Sequence, residues 1–189
     1  MSWSTAMIRK QISLIKKAFT GWGMSREGWL DNRRGEWLLL TQVILISAHL
    51  FGSWPNRQVL PFNWLMIMKF TGQLLFLTGI YVAFQGFFSI GENLSPLPYP
   101  KEGSELVRTG AYKNCRHPIY KGVIMCSIGV VLIKVSLLHL LLLINLTILL
   151  VFKAKNEEEM LLTKFNNYHQ YRKATPAIID KLPFLDWRE

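Results

Sequence analysis

Acidic residues are scarce in this chain: 12 Asp and Glu stand against 22 Lys and Arg in 189 residues, a formal net charge of +10. Charged residues of both signs make up only 18%, below the roughly 25% of ordinary globular domains. Half of the residues are hydrophobic and they collect in long runs, which excludes both a disordered tail and a polar soluble domain. Cysteine is scarce too. Cys115 and Cys126 give no disulfide framework and no spacing suited to a metal, so no metal is expected and both are expected as reduced thiols. The chain has no internal repeat, no low-complexity segment and no Gly-rich phosphate loop. Its opening residues lack the apolar core and small-residue cleavage site of a signal peptide. A basic balance can mark nucleic-acid binding, but beside membrane spans it marks cytoplasmic loops instead, so nucleic acid is excluded as a partner.

What is present is a series of apolar runs. Residues 37–54 are apolar apart from Gln42 and His49, and residues 62–88 are interrupted by Lys69, Gln73 and Gln85. Residues 118–135 and 136–152 are two more, each near the short end of the roughly 17 to 25 residues that a span needs. Ahead of them Ile8, Ile12, Ile15 and Phe19 share one helical face, with Arg9, Lys10, Lys16 and Lys17 on the other, a pattern that suits a helix lying in the headgroup layer or packed on the bundle. The expected architecture is all-α: an integral membrane bundle of about four transmembrane helices. An amphipathic N-terminal segment (1–35) precedes a single transmembrane domain (36–189), which ends in a cytoplasmic amphipathic helix at about 157–172.

Charge orients the bundle. Arg33, Arg34, Lys101, Arg108, Lys113, Arg116, Lys153 and Lys155 fall on one side of the spans, and only Arg57 and Lys134 on the other. The positive-inside rule then puts both termini in the cytoplasm. If the third and fourth spans fold back about residue 135, His117 faces Lys153 and Lys113 faces Glu157, so residues forty apart in sequence meet at one membrane surface.

Two clusters meet there. In the run Gly110-Ala-Tyr112-Lys-Asn-Cys-Arg116-His117-Pro118-Ile-Tyr120-Lys-Gly122, Pro118 suits the first position of a helix. The unpaired N–H groups of that helix start, backed by Arg116 and His117, suit an anion, and Gly122 leaves room for a flat group to approach the backbone. The second cluster is Lys153, Lys155 and Glu157 to Glu159, followed by Leu161, Phe165, Tyr168 and Arg172 on one helical face. Carboxylates there suit an ammonium or sulfonium cation. A zwitterionic amino-acid ligand fits the pair.

The Gly-x-Tyr-x3-Arg-His-Pro-x-Tyr-x-Gly run, followed after one hairpin by basic-x3-Glu-Glu-x2-Leu-x3-Phe, two tyrosines and Thr-Pro, resembles the isoprenylcysteine carboxyl methyltransferase family of integral membrane enzymes. The resemblance covers about residues 93–176. It implies methyl transfer from S-adenosylmethionine to a lipophilic small-molecule or prenylated acceptor at the cytoplasmic membrane face. By that resemblance Leu106, Val107, Tyr112, His117, Pro118, Tyr120 and one of Glu157 or Glu158 would contact the cofactor, and Lys153 would stand where the family has an arginine near the acceptor carboxylate. Lysine there loses a bidentate fork, and the Phe165 to Tyr168 interval is one residue shorter than the family's. A carboxylate or thiolate acceptor arrives ionised. A lipid amine must first lose a proton, and only then is His117 required as a base. Two other readings of the same architecture are a membrane reductase using a nicotinamide cofactor, which lacks a phosphate loop here, and a haem-binding protein or isomerase using His49 and His139. For those two histidines, hydrogen bonding between helices is the plainer expectation. Asn93, Pro96, Pro98 and Pro100 form an extended loop at the acceptor entrance or a simple linker.

Overall fold

The computed structural model describes residues 26–55, 61–101 and 103–188. The expected amphipathic helix around Ile8 to Phe19 and the loop position of Arg57 lie outside the described residues. Within them the chain is helical, without strands: α1 (Arg26–Asp31), α2 (Glu36–Ala48), α3 (Phe62–Ile90), α4 (Pro118–Lys134), α5 (Leu137–Lys164) and α6 (Tyr168–Ala174), with 3-10 turns at Gly91–Asn93 and Gly110–Lys113. Among the described residues two segments are long and apolar enough to cross a bilayer, Phe62–Asn93 and Leu137–Lys164. With 29 and 28 residues, α3 and α5 each exceed the roughly 30 Å hydrocarbon layer. By contrast α2, with 13 residues, and α4, with 17, rise about 20 and 25 Å.

The first expected span is therefore cut short. The chain leaves the helix at His49, whose Nδ1 donates to the Leu45 carbonyl 2.8 Å away, satisfying an acceptor that the ending helix would otherwise orphan. Gly52, Ser53 and Pro55 follow, a breaker cluster that cannot continue it. Ser136 Oγ accepts the Trp54 N–H at 2.9 Å and donates to the Trp54 carbonyl at 3.0 Å, which ties this segment to the α4–α5 turn.

Helices α3 and α4 touch backbone to backbone along a glycine seam. Gly72 faces Gly129 and Gly79 faces Gly122, so close that a Cβ on Gly122 would lie 2.5 Å from the Gly79 carbonyl oxygen and one on Gly79 would lie 2.7 Å from that of Gly122. Small residues permit such approach where lipid offers no hydrophobic drive for association. Gly79→Leu has no void to enter and should cost about 3 kcal/mol or more. The expected result is loss of the monodisperse peak in detergent gel filtration; a Gly52→Leu control, with nothing within 4 Å of its Cβ position, should elute as wild type.

The hairpin closes at Val135, held at φ 45°, and Ser136. It returns α5 to the start of α4, but staggered by about one turn from the expected register: His117 meets Glu157 and Glu158, and Tyr120 meets Lys153. The expected separate helix at about 157–172 is also revised. Helix α5 runs unbroken through the three glutamates to Lys164, and the break comes at Phe165–Asn167 before the short α6. After α6 the chain hooks back along α4. The carbonyls of Pro176 and Ala177 accept the N–H groups of Arg116 (2.9 Å) and His117 (3.0 Å), and Ile178 and Ile179 both donate to the Leu185 carbonyl. Ala177, Ile178 and Leu185 thereby join Ile124, Leu146 and Leu150 in the core.

Candidate functional site

The start of α4, the end of α5, α6 and the terminal hook converge on Glu158. Its Oε1 accepts from Arg116 Nε and from His117 Nε2, both at 2.8 Å. Its Oε2 accepts from the Trp187 indole at 2.9 Å, and Arg172 Nε lies 3.5 Å away. Arg116 is spent: besides Glu158 it donates to the carbonyls of Arg172 (2.5 Å), Thr175 (2.7 Å) and Trp187 (3.2 Å). Arg116 and His117 are thus already engaged where the sequence has them backing an anion receptor: the hook's carbonyls take their N–H groups and Glu158 takes the guanidinium. The basic and acidic rims do reach the same surface, but they grip each other.

A second layer faces open space. Because the Glu158 carboxylate can only accept, His117 presents an N–H at Nε2, which in the neutral imidazole leaves Nδ1 as the acceptor. The His117 ring stacks on Tyr120 at 5.4 Å with planes 5° apart, and Nδ1 lies 3.8 Å from Glu157 Oε2. Tyr120 donates its hydroxyl to that same oxygen at 3.1 Å, and the other oxygen of Glu157 has no hydrogen-bond partner among the described residues. The ammonium of buried Lys153 donates to Gln42 Oε1 at 2.7 Å and lies 5.6 Å above the Tyr120 ring.

Two clefts, open to solvent, meet at this layer. They share Ile90, Ser95, Tyr112, Arg116, His117 and Glu157 as a common wall. The first is lined further by Tyr99, Ser104, Leu106, Val107, Leu161, Phe165, Tyr168 and Tyr171. Leu106 and Val107 run through it without regular secondary structure and with no backbone hydrogen bond to any described residue. An unpaired stretch of backbone of this kind suits the edge of a heteroaromatic ring. Lys164 Nζ closes the rim by donating to the Lys101 carbonyl and Ser104 Oγ, both at 2.7 Å, and Asn93 Oδ1 accepts the Glu105 N–H at 2.8 Å. Burial holds the phenols of Tyr112, Tyr168 and Tyr171 well above their ordinary range, so all three are neutral donors. The second cleft extends between α2 and α4, past Leu39, Gln42, Ile119, Tyr120 and Lys153.

Of the residues singled out in the sequence, Leu106, Val107, Tyr112, His117 and Glu157 line the first cleft, and Tyr120 and Lys153 line the second. Three stand elsewhere. Pro118 packs near Gly86 and Gly122 packs against Gly79 and Ala83, so the room that Gly122 provides is taken by α3 and not by a flat ligand. Glu158 is buried beneath the clefts, only 2% exposed. Cys115 is buried under the hook and donates to the Ala177 carbonyl at 3.2 Å, and burial pushes its thiol up. Sequence reasoning missed Gln42 as a partner of Lys153, and it missed Trp187 altogether, since a lone tryptophan beyond the last helix carries no spacing signal. The proline loop is part of the site: Asn93 and Pro100 line the first cleft and Pro96 the second.

At the far end of the bundle, both ring nitrogens of His49 are engaged, Nδ1 by Leu45 and Nε2 by Ser127 Oγ at 2.6 Å. Since Nδ1 donates to a carbonyl, Nε2 must accept from Ser127, which leaves no lone pair for iron. His139 Nε2 donates to the His49 carbonyl at 3.3 Å. Hydrogen bonding between helices accounts for His49.

Against known proteins, a family model described as phospholipid methyltransferase matches residues 67–168, more than half of the chain and the stretch from α3 to the first residue of α6. No individual curated protein matches it. The chain belongs to the phospholipid methyltransferase family, and so to the isoprenylcysteine carboxyl methyltransferase-like membrane methyltransferases that act on lipid substrates.

Proposed function

We propose that this protein transfers a methyl group from S-adenosylmethionine to a lipid acceptor at the cytoplasmic face of its membrane. The reading includes four membrane crossings, with α2 and α4 completed by the segments that flank them, both termini in the cytoplasm, and residues 36–189 acting as one catalytic domain. The observation that carries it is the common wall of the two clefts, because methyl transfer needs donor and acceptor on either side of one narrow contact and little else from the protein.

The first cleft fits the donor. Leu106 and Val107 offer unpaired backbone to an adenine edge, Tyr112 and Tyr168 offer neutral surfaces, and the partnerless oxygen of Glu157 suits an ammonium. Glu157 is thus the cofactor carboxylate and Glu158 its support. When bound, the cofactor supplies a methyl group made electrophilic by a sulfonium. In the second cleft Lys153, steadied by Gln42, faces the anionic part of the acceptor. His117 Nδ1 takes a proton from the acceptor's nucleophilic atom and passes it to water, the imidazole being held in this tautomer by Glu158. An ionised carboxylate needs no such base, and Lys153 lacks the fork that arginine would offer one. The arrangement therefore favours a lipid amine over a prenylcysteine carboxylate.

The test uses the full chain in detergent micelles with radiolabelled S-adenosylmethionine. Glu157→Gln should weaken binding roughly ten- to a hundredfold, as for loss of a charge-assisted contact of about 1.5 to 3 kcal/mol, with an unchanged melting curve. Wild-type affinity in this variant would remove Glu157 from the cofactor site. In vesicles, label should enter lipid when phosphatidylethanolamine is present and not in phosphatidylglycerol alone; the reverse pattern overturns the amine acceptor.

A further inference from the structure

Glu158 is contested. Its Oε1 binds His117 and Arg116 while its Oε2 binds Trp187 Nε1 at 2.9 Å. On the same side, Arg172 Nε lies 3.5 Å from Oε2, buried and without a hydrogen bond of its own. A buried guanidinium nitrogen left unsatisfied is a strong competitor for a carboxylate. If Glu158 turned to satisfy it, Oε1 would swing away from His117, and the imidazole would lose the bond that fixes its tautomer.

Trp187 opposes that turn from an unexpected place. It lies beyond residue 168, where the family match ends, on a hook that is itself firmly built. Asp186 accepts the N–H groups of Ala177 and Lys181 at 3.2 and 3.1 Å. Arg188 pairs with both Asp180 and Asp186. The Trp187 carbonyl accepts from Arg116 at 3.2 Å, and its ring lies under Lys155 (5.4 Å) and Arg116 (5.9 Å). The indole is thus fixed before it donates, and its N–H has one direction to point.

We propose that Trp187 is a positioning residue for methyl transfer: its indole N–H holds Glu158 toward His117 against the pull of Arg172. Trp187 lines neither cleft; its ring lies 6.3 Å from that of His117, tilted by 33°, a contact that Trp187→Phe keeps while it removes the donor to Glu158. The inference rests on His117 being the base, and it adds that the hook, outside the family's shared segment, completes the site.

The experiment compares Trp187→Phe, Trp187→Phe with Arg172→Leu, and His117→Gln, in full-length protein reconstituted with phosphatidylethanolamine vesicles and radiolabelled S-adenosylmethionine. Alkylation of Cys115 by iodoacetamide reports whether the hook is docked, because that thiol is buried beneath it. Trp187→Phe keeps the ring and loses the donor. It should lower kcat about tenfold with an unchanged Kd for the cofactor and Cys115 still protected. Removing Arg172 as well should restore most of the rate, because nothing is left to pull the carboxylate away. Unchanged kcat in Trp187→Phe overturns the proposal, as does a loss of rate that comes with Cys115 exposure or that Arg172→Leu fails to relieve. Wild-type kcat in His117→Gln overturns instead the reading of His117 on which the proposal rests.

Discussion

His117→Gln protein should bind S-adenosylmethionine within a few-fold of wild type and transfer methyl groups about a hundredfold or more slowly, the range that a lost general base commands. Glutamine can still donate to Glu158 and fill most of the space against Tyr120, so the buried cluster survives, but its amide accepts no proton. A single-turnover assay with vesicle-bound acceptor and preloaded cofactor separates the two effects. The expected outcome is a slow chemical step with an undiminished amount of bound cofactor. A slow step that speeds up when the acceptor is an ionised acid instead of an amine would strengthen the assignment, since such an acceptor has no proton to surrender. Equal slowing for both would mean that His117 positions and does not abstract.

Arg116→Met should fail at an earlier stage. The Arg116 and Glu158 side chains are 1% and 3% exposed, and the guanidinium also holds three carbonyls of α6 and the hook. Removing it strands a buried carboxylate and three acceptors, a cost of about 3–5 kcal/mol for the broken pair alone, comparable to much of the roughly 5–15 kcal/mol that keeps a domain folded. The expected result is a large fall in melting temperature in micelles and little protein at physiological temperature. Arg116→Met with Glu158→Leu should recover part of that stability, because no buried carboxylate is stranded and only the partly exposed Arg172 loses a counter-ion, yet stay inactive, because His117 has lost its orienting partner. Full stability in the single variant would show that Arg116 is free for a ligand, as its position beside His117 and Pro118 suggests in the sequence.

That contrast marks how far the sequence carries. Helical class, the two long apolar helices and the return of the Glu157 region to the start of α4 follow from hydropathy, from Pro118 at a helix start and from one tight turn, all of which act within a few residues of each other. The family followed as well, because its motifs are dense and ordered along the chain. Of the residues that the sequence marked for the site, Leu106, Val107, Tyr112, His117, Tyr120, Lys153 and Glu157 line the clefts, whereas Pro118, Gly122 and Glu158 do not.

The division of labour among charged neighbours was decided elsewhere. Adjacent glutamates look alike in sequence, and only the direction in which each leaves α5 makes Glu158 a buried counter-ion and leaves Glu157 with a partnerless oxygen. Arg116 became structural because a hook some sixty residues later supplies the carbonyls that absorb it. Gly122 serves helix packing because Gly79 happens to face it. Periodicity and charge counts record what each residue is able to do, whereas hydrogen bonds are exclusive, and which partner takes each donor is settled only when distant segments compete for it in three dimensions.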